Sequence, residues 1–207
     1  SFVGEHFFRT GKTRLAQSYL ARAYEFAPGD MRVSLLLGLT CADEGDTERA
    51  KELLNKATQR GARSFAAHYG LGRLFIAEEN WRNALREFKR ALASKPSPEA
   101  HYALGCLYYQ LARDSLAARH LRKATELDAG YGEAFYVLGL IYRRAGQEKL
   151  ALKSFEKAET ADLARSTKRA GRKRSGVGKP PVFPLFQGVE RDVGGLVTGG
   201  NERLAKA

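Results

Sequence analysis

Gly11-Lys12-Thr13 has the ending of a phosphate-binding loop, where backbone N–H groups and a lysine cradle phosphate oxygens. That chemistry needs another glycine five residues before Gly11, and position 6 is His6, so the tripeptide reads as a turn. His6, His68, His101 and His120 show no His-x3-His spacing, and Cys41 and Cys106 no Cys-x2-Cys, so no zinc site is expected. No nucleophile elbow, catalytic triad or carboxylate pair stands out either. The expectation is a protein that is not an enzyme and needs no cofactor or metal. Cys41 falls in a slot otherwise filled by aromatic residues and reads as a small buried apolar group. His68 and His101 occupy equivalent slots and read as packing residues.

Those slots come from an internal period. The glycines of Val3-Gly4, Leu37-Gly38, Leu71-Gly72, Leu104-Gly105 and Leu138-Gly139 are separated by steps of 34, 34, 33 and 34. Twelve residues after each glycine stands Ala16, Ala50, Ala84, Ala117 or Ala151. Sixteen after comes Leu20, Leu54, Phe88, Leu121 or Phe155, and nineteen after Ala23, Ala57, Ala91, Ala124 or Ala158. This i, i+4, i+7 spacing is one face of a helix. Seven residues after the glycine, Gly11, Gly45 and Gly146 mark a turn between two helices, with Glu79 and Ala112 in the same place in the other repeats. Small residues at the glycine and alanine slots let the two helices approach, while Leu and Phe fill the gaps beside them. No repeat buries its apolar face alone, so neighbours must stack.

The pattern resembles the tetratricopeptide repeat. It departs from it where His68, His101 and Phe135 take the tryptophan slot and where the closing proline survives only as Pro28 and Pro96. The resemblance implies an all-α right-handed superhelix (an α-solenoid) of five helix-turn-helix repeats over residues 1–161, at about 1–30, 31–63, 64–97, 98–130 and 131–161. It also implies that the free side of each first helix lines a concave groove for peptide ligands. The residues there are Leu35, Leu39 and Ala42, then Tyr69, Arg73 and Ile76. Tyr102, Cys106 and Tyr109 follow, then Tyr136, Leu140 and Arg143 with Arg144 beside it. Tyr69, Tyr102 and Tyr136 would form a ladder, suited either to ligand contact or to packing on neighbouring helices with the hydroxyls in water. The slots where some family members grip a C-terminal carboxylate hold mainly Tyr, Leu, Cys and Ile here, so that clamp is not expected.

The net charge of +12 is uneven. Residues 162–207 read as an irregular basic tail, with Arg165, Lys168, Arg169, Arg172, Lys173, Arg174 and Lys179 and no acid between the first and last of them. Such a run is a solvated linker, a nucleic-acid arm, an anionic-membrane contact or a nuclear address. Pro180-Pro181-Val182-Phe183-Pro184-Leu185-Phe186 is too proline-rich for a regular helix and too apolar for a solvated linker, and is expected to dock on the repeats or on a partner. Asn201 before Glu202–Lys206 resembles the start of a helix, and the first repeat opens only three residues before Gly4; both suggest a longer native chain.

No apolar run approaches the ~18–20 residues of a membrane span, and two cysteines make no disulfide framework. A cytoplasmic location is therefore expected. The expected function is a non-catalytic protein–protein interaction scaffold. Its partner would be a peptide or protein segment with apolar anchors and some acids. The alternatives are a nucleic-acid-associated protein that uses the basic tail and the regulatory arm of a larger enzyme.

Overall fold

The repeat slots become helix pairs. The computed structural model describes residues 2–59 and 64–171, with side chains at 2–58 and 64–164. The first pair is α1 (Phe2–Arg9) with α2 (Thr13–Phe26), and the second α3 (Met31–Glu44) with α4 (Thr47–Gln59). Next come α5 (Phe65–Ala77) with α6 (Trp81–Ser94), α7 (Pro98–Gln110) with α8 (Asp114–Leu127), and α9 (Gly132–Arg144) with α10 (Glu148–Gly171). No strand occurs among the described residues. Each pair packs on the next, giving the all-α solenoid that the family resemblance implies.

Within a pair, the repeat glycine lies against the residue sixteen positions later. A Cβ on Gly105 would stand 2.6 Å from Leu121 Cγ, one on Gly72 2.6 Å from Phe88 Cε1, and one on Gly139 2.5 Å from Phe155 Cε1. These are sub-van-der-Waals distances, so the helix contact closes only without a side chain there. Leu20, Leu54, Phe88 and Leu121 are fully buried, as are Ala16, Ala50, Ala84 and Ala117.

Every pair turns in the same way. The N–H eight residues after the repeat glycine donates back to the carbonyl at plus three, as in Asn80 to Phe75 (2.8 Å) and Arg113 to Tyr108 (2.8 Å). This closure needs a left-handed residue between the helices. Gly11, Gly45 and Gly146 supply it at φ 71°, 88° and 71°, but Glu79 and Ala112 are forced to φ 56° and 53°. A Cβ in that region costs about 1 kcal/mol. Ala112→Gly is therefore expected to raise stability by up to about that amount, read as a higher urea midpoint at an unchanged slope. A lower midpoint would show that the turn is not strained.

The first helices are mostly capped by a side chain. Asp30 Oδ1 accepts from Arg32 N–H at 2.8 Å, and Ser64 and Ser97 Oγ accept from Ala67 and Ala100 N–H at 3.3 Å. At α9 this place is taken by Tyr131, which makes no side-chain cap.

The last helix departs from the expected boundary: α10 runs past residue 161 to Gly171, so Arg165, Lys168 and Arg169 stand on helix rather than irregular chain. Two features explain this. The stretch Ala161–Ala170 contains neither glycine nor proline, and its alanines, leucine, arginines and lysine favour helix. Ala161 is also buried, and Asp162 Oδ1 lies 2.6 Å from where a Cβ on Gly132 would stand, so the extension packs against the start of α9. Arg172, Lys173, Arg174, Lys179 and the Pro180–Phe186 segment lie outside the described residues.

Candidate functional site

First helices touch first helices of the neighbouring repeat, α1 with α3, α3 with α5 and α7 with α9. They line one side of the array, and the second helices form the other. The stripe read from the sequence falls on the first helices, but its residues are not equally accessible.

Cys106 is 0% exposed and Tyr102 6%, and Ile76 and Leu140 are also buried. These four lie among packed side chains rather than on open surface. Tyr102 fails to project because a second ring covers it: Tyr131 lies 5.2 Å away, centroid to centroid, and the Tyr102 hydroxyl is hydrogen-bonded to the Cys106 thiol. Burial pushes both groups' pKa values far up, so neither ionises near neutrality. Tyr69, Tyr109 and Tyr136 keep part of their surface in solvent. Tyr69 stacks on Phe65 at 5.4 Å and leans on Phe88 at 5.6 Å, and burial raises its hydroxyl to about 12. Tyr136 packs on Phe155 at 5.5 Å. In the second repeat, Leu35, Leu39 and Ala42 are half-buried against the core.

The cations on this side are largely matched by acids. Arg73 Nη1 lies 3.8 Å from Asp43 Oδ1, one repeat back. Arg144 holds Asp114 through both carboxylate oxygens, with Nε to Oδ2 at 2.7 Å, and its guanidinium sits 4.2 Å from the centre of the Tyr109 ring. Arg144 thus ties the fifth repeat to the fourth, a bidentate pair reinforced by cation–π contact. Arg143 lies 5.9 Å over the Phe155 ring and has no carboxylate partner among the described residues.

Tyr131 was not among the residues singled out from the sequence. Its signal was there: it interrupts a row of capping residues, Asp30, Ser64 and Ser97, with a ring that cannot cap.

His68, His101 and His120 make polar contacts as well as packing. His68 Nδ1 lies 2.9 Å from Glu87 Oε2, and Glu87 is 2% exposed. One repeat on, the same two slots hold His101 and His120, with Nδ1 atoms 3.1 Å apart. One imidazole must donate and the other accept, so protonating both would set two donors against each other. His120 also stacks on Tyr108 at 5.5 Å. Burial, then His101, Arg119 and Lys89, lowers the His120 pKa to about 4; burial and Lys123 lower that of His101, against Glu126. The unfolded chain therefore takes up protons below about pH 6.5 that the folded repeat refuses, and stability falls with pH from there towards about pH 4. His120→Gln is expected to flatten this fall in a series of denaturation curves. An unchanged pH profile would remove His120 from the account.

His68, Glu87, His101 and His120 thus meet between paired helices, and no cluster of three or more metal-ligating side chains occurs among the described residues. Two sequence patterns, each described as tetratricopeptide repeat, match the chain: one at residues 4–67 and again at 102–165, the other at 42–107. The chain belongs to the tetratricopeptide repeat family. Among curated proteins, anaphase-promoting complex subunit 3 of Schizosaccharomyces pombe is 24% identical over 127 residues, 61% of this chain. The aligned part spans only 19% of that protein's length. A crystal structure of MamA is 25% identical with a TM-score of 0.70, covering 80% of this chain and 97% of that one. MamA from Desulfovibrio magneticus RS-1, residues 41 to the end, is 22% identical with a TM-score of 0.68, covering 79% and 93%. A tetratricopeptide array of this kind is a protein-interaction scaffold, and none of its described helices is long and apolar enough to cross a membrane.

Proposed function

We propose that the array acts without catalysis, receiving a segment of a partner protein on the side lined by its first helices. Half-buried Tyr69, Tyr109 and Tyr136 provide apolar contact, and Arg143 favours an acid on the segment. One observation carries this reading: after packing and ion pairing are satisfied, that side still presents ring surface beside Arg143, which has no carboxylate partner among the described residues. Partly exposed tyrosines are suited to interfaces, since they give large contact area at small entropic cost. Arg73 and Arg144 contribute through their ion pairs, which hold the surface in place. A cytoplasmic location is part of the proposal, supported by two buried free thiols, Cys41 and Cys106.

The test is selection of a displayed random-peptide library on the whole chain. Peptides with apolar anchors and an acidic residue are expected to be enriched. Tyr109→Ala should weaken the selected peptides by about 1–3 kcal/mol, and Arg143→Gln should weaken those that carry the acid. Peptides whose affinity is indifferent to both substitutions would place the binding surface elsewhere.

A further inference from the structure

The side formed by the second helices carries a periodic feature of its own. At 100° per residue, slots fourteen and eighteen after the repeat glycine stand about 200° and 240° around the helix from the packed alanine at slot twelve. They therefore start on the side of the helix away from the packed alanines. In the third, fourth and fifth repeats these slots hold Arg86 and Arg90, Arg119 and Lys123, and Lys153 and Lys157, all exposed. The run stops at the second repeat, where Glu52 takes the first slot and pairs with Lys56 in the second.

Part of this row is held in place from beneath. Buried Glu87 accepts from Arg86 Nε at 3.1 Å and from Arg90 Nη1 at 3.0 Å through one oxygen, while the other faces His68. Two guanidinium groups share a single carboxylate, so the unit is net positive and its remaining N–H donors point to water. Lys123 has an exposed partner in Glu126. Arg119, Lys153 and Lys157 have no carboxylate partner among the described residues; Lys157 lies over the Phe135 ring at 5.3 Å.

We propose that this outer row binds the phosphodiester backbone of nucleic acid, without reading base sequence. Cations that recur once per repeat suit a polymer with a charge on every unit. Guanidinium groups fixed on a helix face match phosphate oxygens in pairs, with less ordering cost than free lysines. The aromatic ring partly exposed on α6, Trp81, lies about 140–180° around the helix from Arg86 and Arg90, and α8 carries no Trp, Tyr or Phe, so no base-stacking ring adjoins this part of the row and the interaction is electrostatic and sequence-independent. A membrane would also need apolar side chains beside the cations: α6 exposes none, whereas Leu127 of α8 and Leu150 of α10 are about half exposed, so vesicles are included in the experiment as the competing surface. The row lies on the opposite side from the tyrosines and is independent of the peptide reading.

The experiment measures binding of labelled oligothymidylate and of a short DNA duplex to the whole chain across a salt series. The variant Arg119→Gln/Lys123→Gln/Lys153→Gln/Lys157→Gln leaves Glu87 and its partners in place, and its fold is checked by circular dichroism and thermal unfolding. Affinity is expected to drop about tenfold or more near 100 mM salt, with log K against log salt shallower by roughly 0.7–0.9 for each phosphate that is no longer neutralised. A second variant with Arg172, Lys173, Arg174 and Lys179 changed to Gln should keep the contribution of the row. Parent-like binding by the first variant, or complete loss by the second, would overturn the proposal. So would tighter binding to phosphatidylserine vesicles or to polyglutamate than to DNA, which would assign the row to a membrane or an acidic protein.

Discussion

Gly105→Leu is expected to unfold the fourth helix pair, at a cost of about 3 kcal/mol. A Cβ alone would stand 2.6 Å from Leu121 Cγ and 2.8 Å from its Cδ2, with the Ala117 carbonyl at 3.4 Å behind. Leu121 is fully buried and cannot swing away, so α7 and α8 must part and the packing of their neighbours loosens as well. Tyr102→Ala is the informative comparison. With Tyr102 6% exposed and its ring under Tyr131, truncation should leave a cavity and cost nearly as much, about 3 kcal/mol. Tyr109→Ala, from the same stripe but half-buried, should cost much less. Chemical denaturation of the three variants checks this order. If Tyr102→Ala is as mild as Tyr109→Ala, Tyr102 belongs to the accessible surface after all.

Phe88→Ala should be of similar or larger size, about 3–5 kcal/mol. The ring is fully buried, fills the space left by Gly72, and supports Tyr69 at 5.6 Å. It sits in the middle repeat, so its loss weakens both the α5–α6 pair and the coupling of the repeats on either side. In a nearest-neighbour array this lowers cooperativity as well as stability. The denaturation transition should broaden, and hydrogen exchange should lose protection first in α5 and α6. A transition that moves without broadening would mean that the array unfolds as a single unit despite the weakened centre.

The architecture was legible because its determinants are local and repeated. Glycine at slot zero, alanine at twelve and nineteen, and Leu or Phe at sixteen specify one helix–helix interface. Five copies of that interface leave little freedom for another fold. Gly11, Gly45 and Gly146 announced their turns, and the repeat showed that Glu79 and Ala112 occupy the same place although neither residue favours it. The end of the array was less legible. Helix propensity carries α10 on to Gly171, and only the packing of Asp162 beside Gly132 shows why the extension stays with the repeats.

Slot arithmetic told which side of a helix each stripe residue faces, but not how deeply it sits. Tyr69, Tyr102 and Tyr136 share one slot, yet Tyr102 is buried because Tyr131 reaches over from the start of the next repeat. The pairings of Arg73 with Asp43 and Arg144 with Asp114 likewise join residues 30 apart in the chain. The sequence by itself determined the repeat, the helix pairs and the face each residue takes, since these follow from spacing within one helix or one turn. Tertiary structure alone decided which rings stay accessible and which cations keep a free charge. It also decided that Glu87 fastens two arginines to the outer side. Each of those depends on side chains that meet across packed helices, where depth and distance are set by neighbours that no local period specifies.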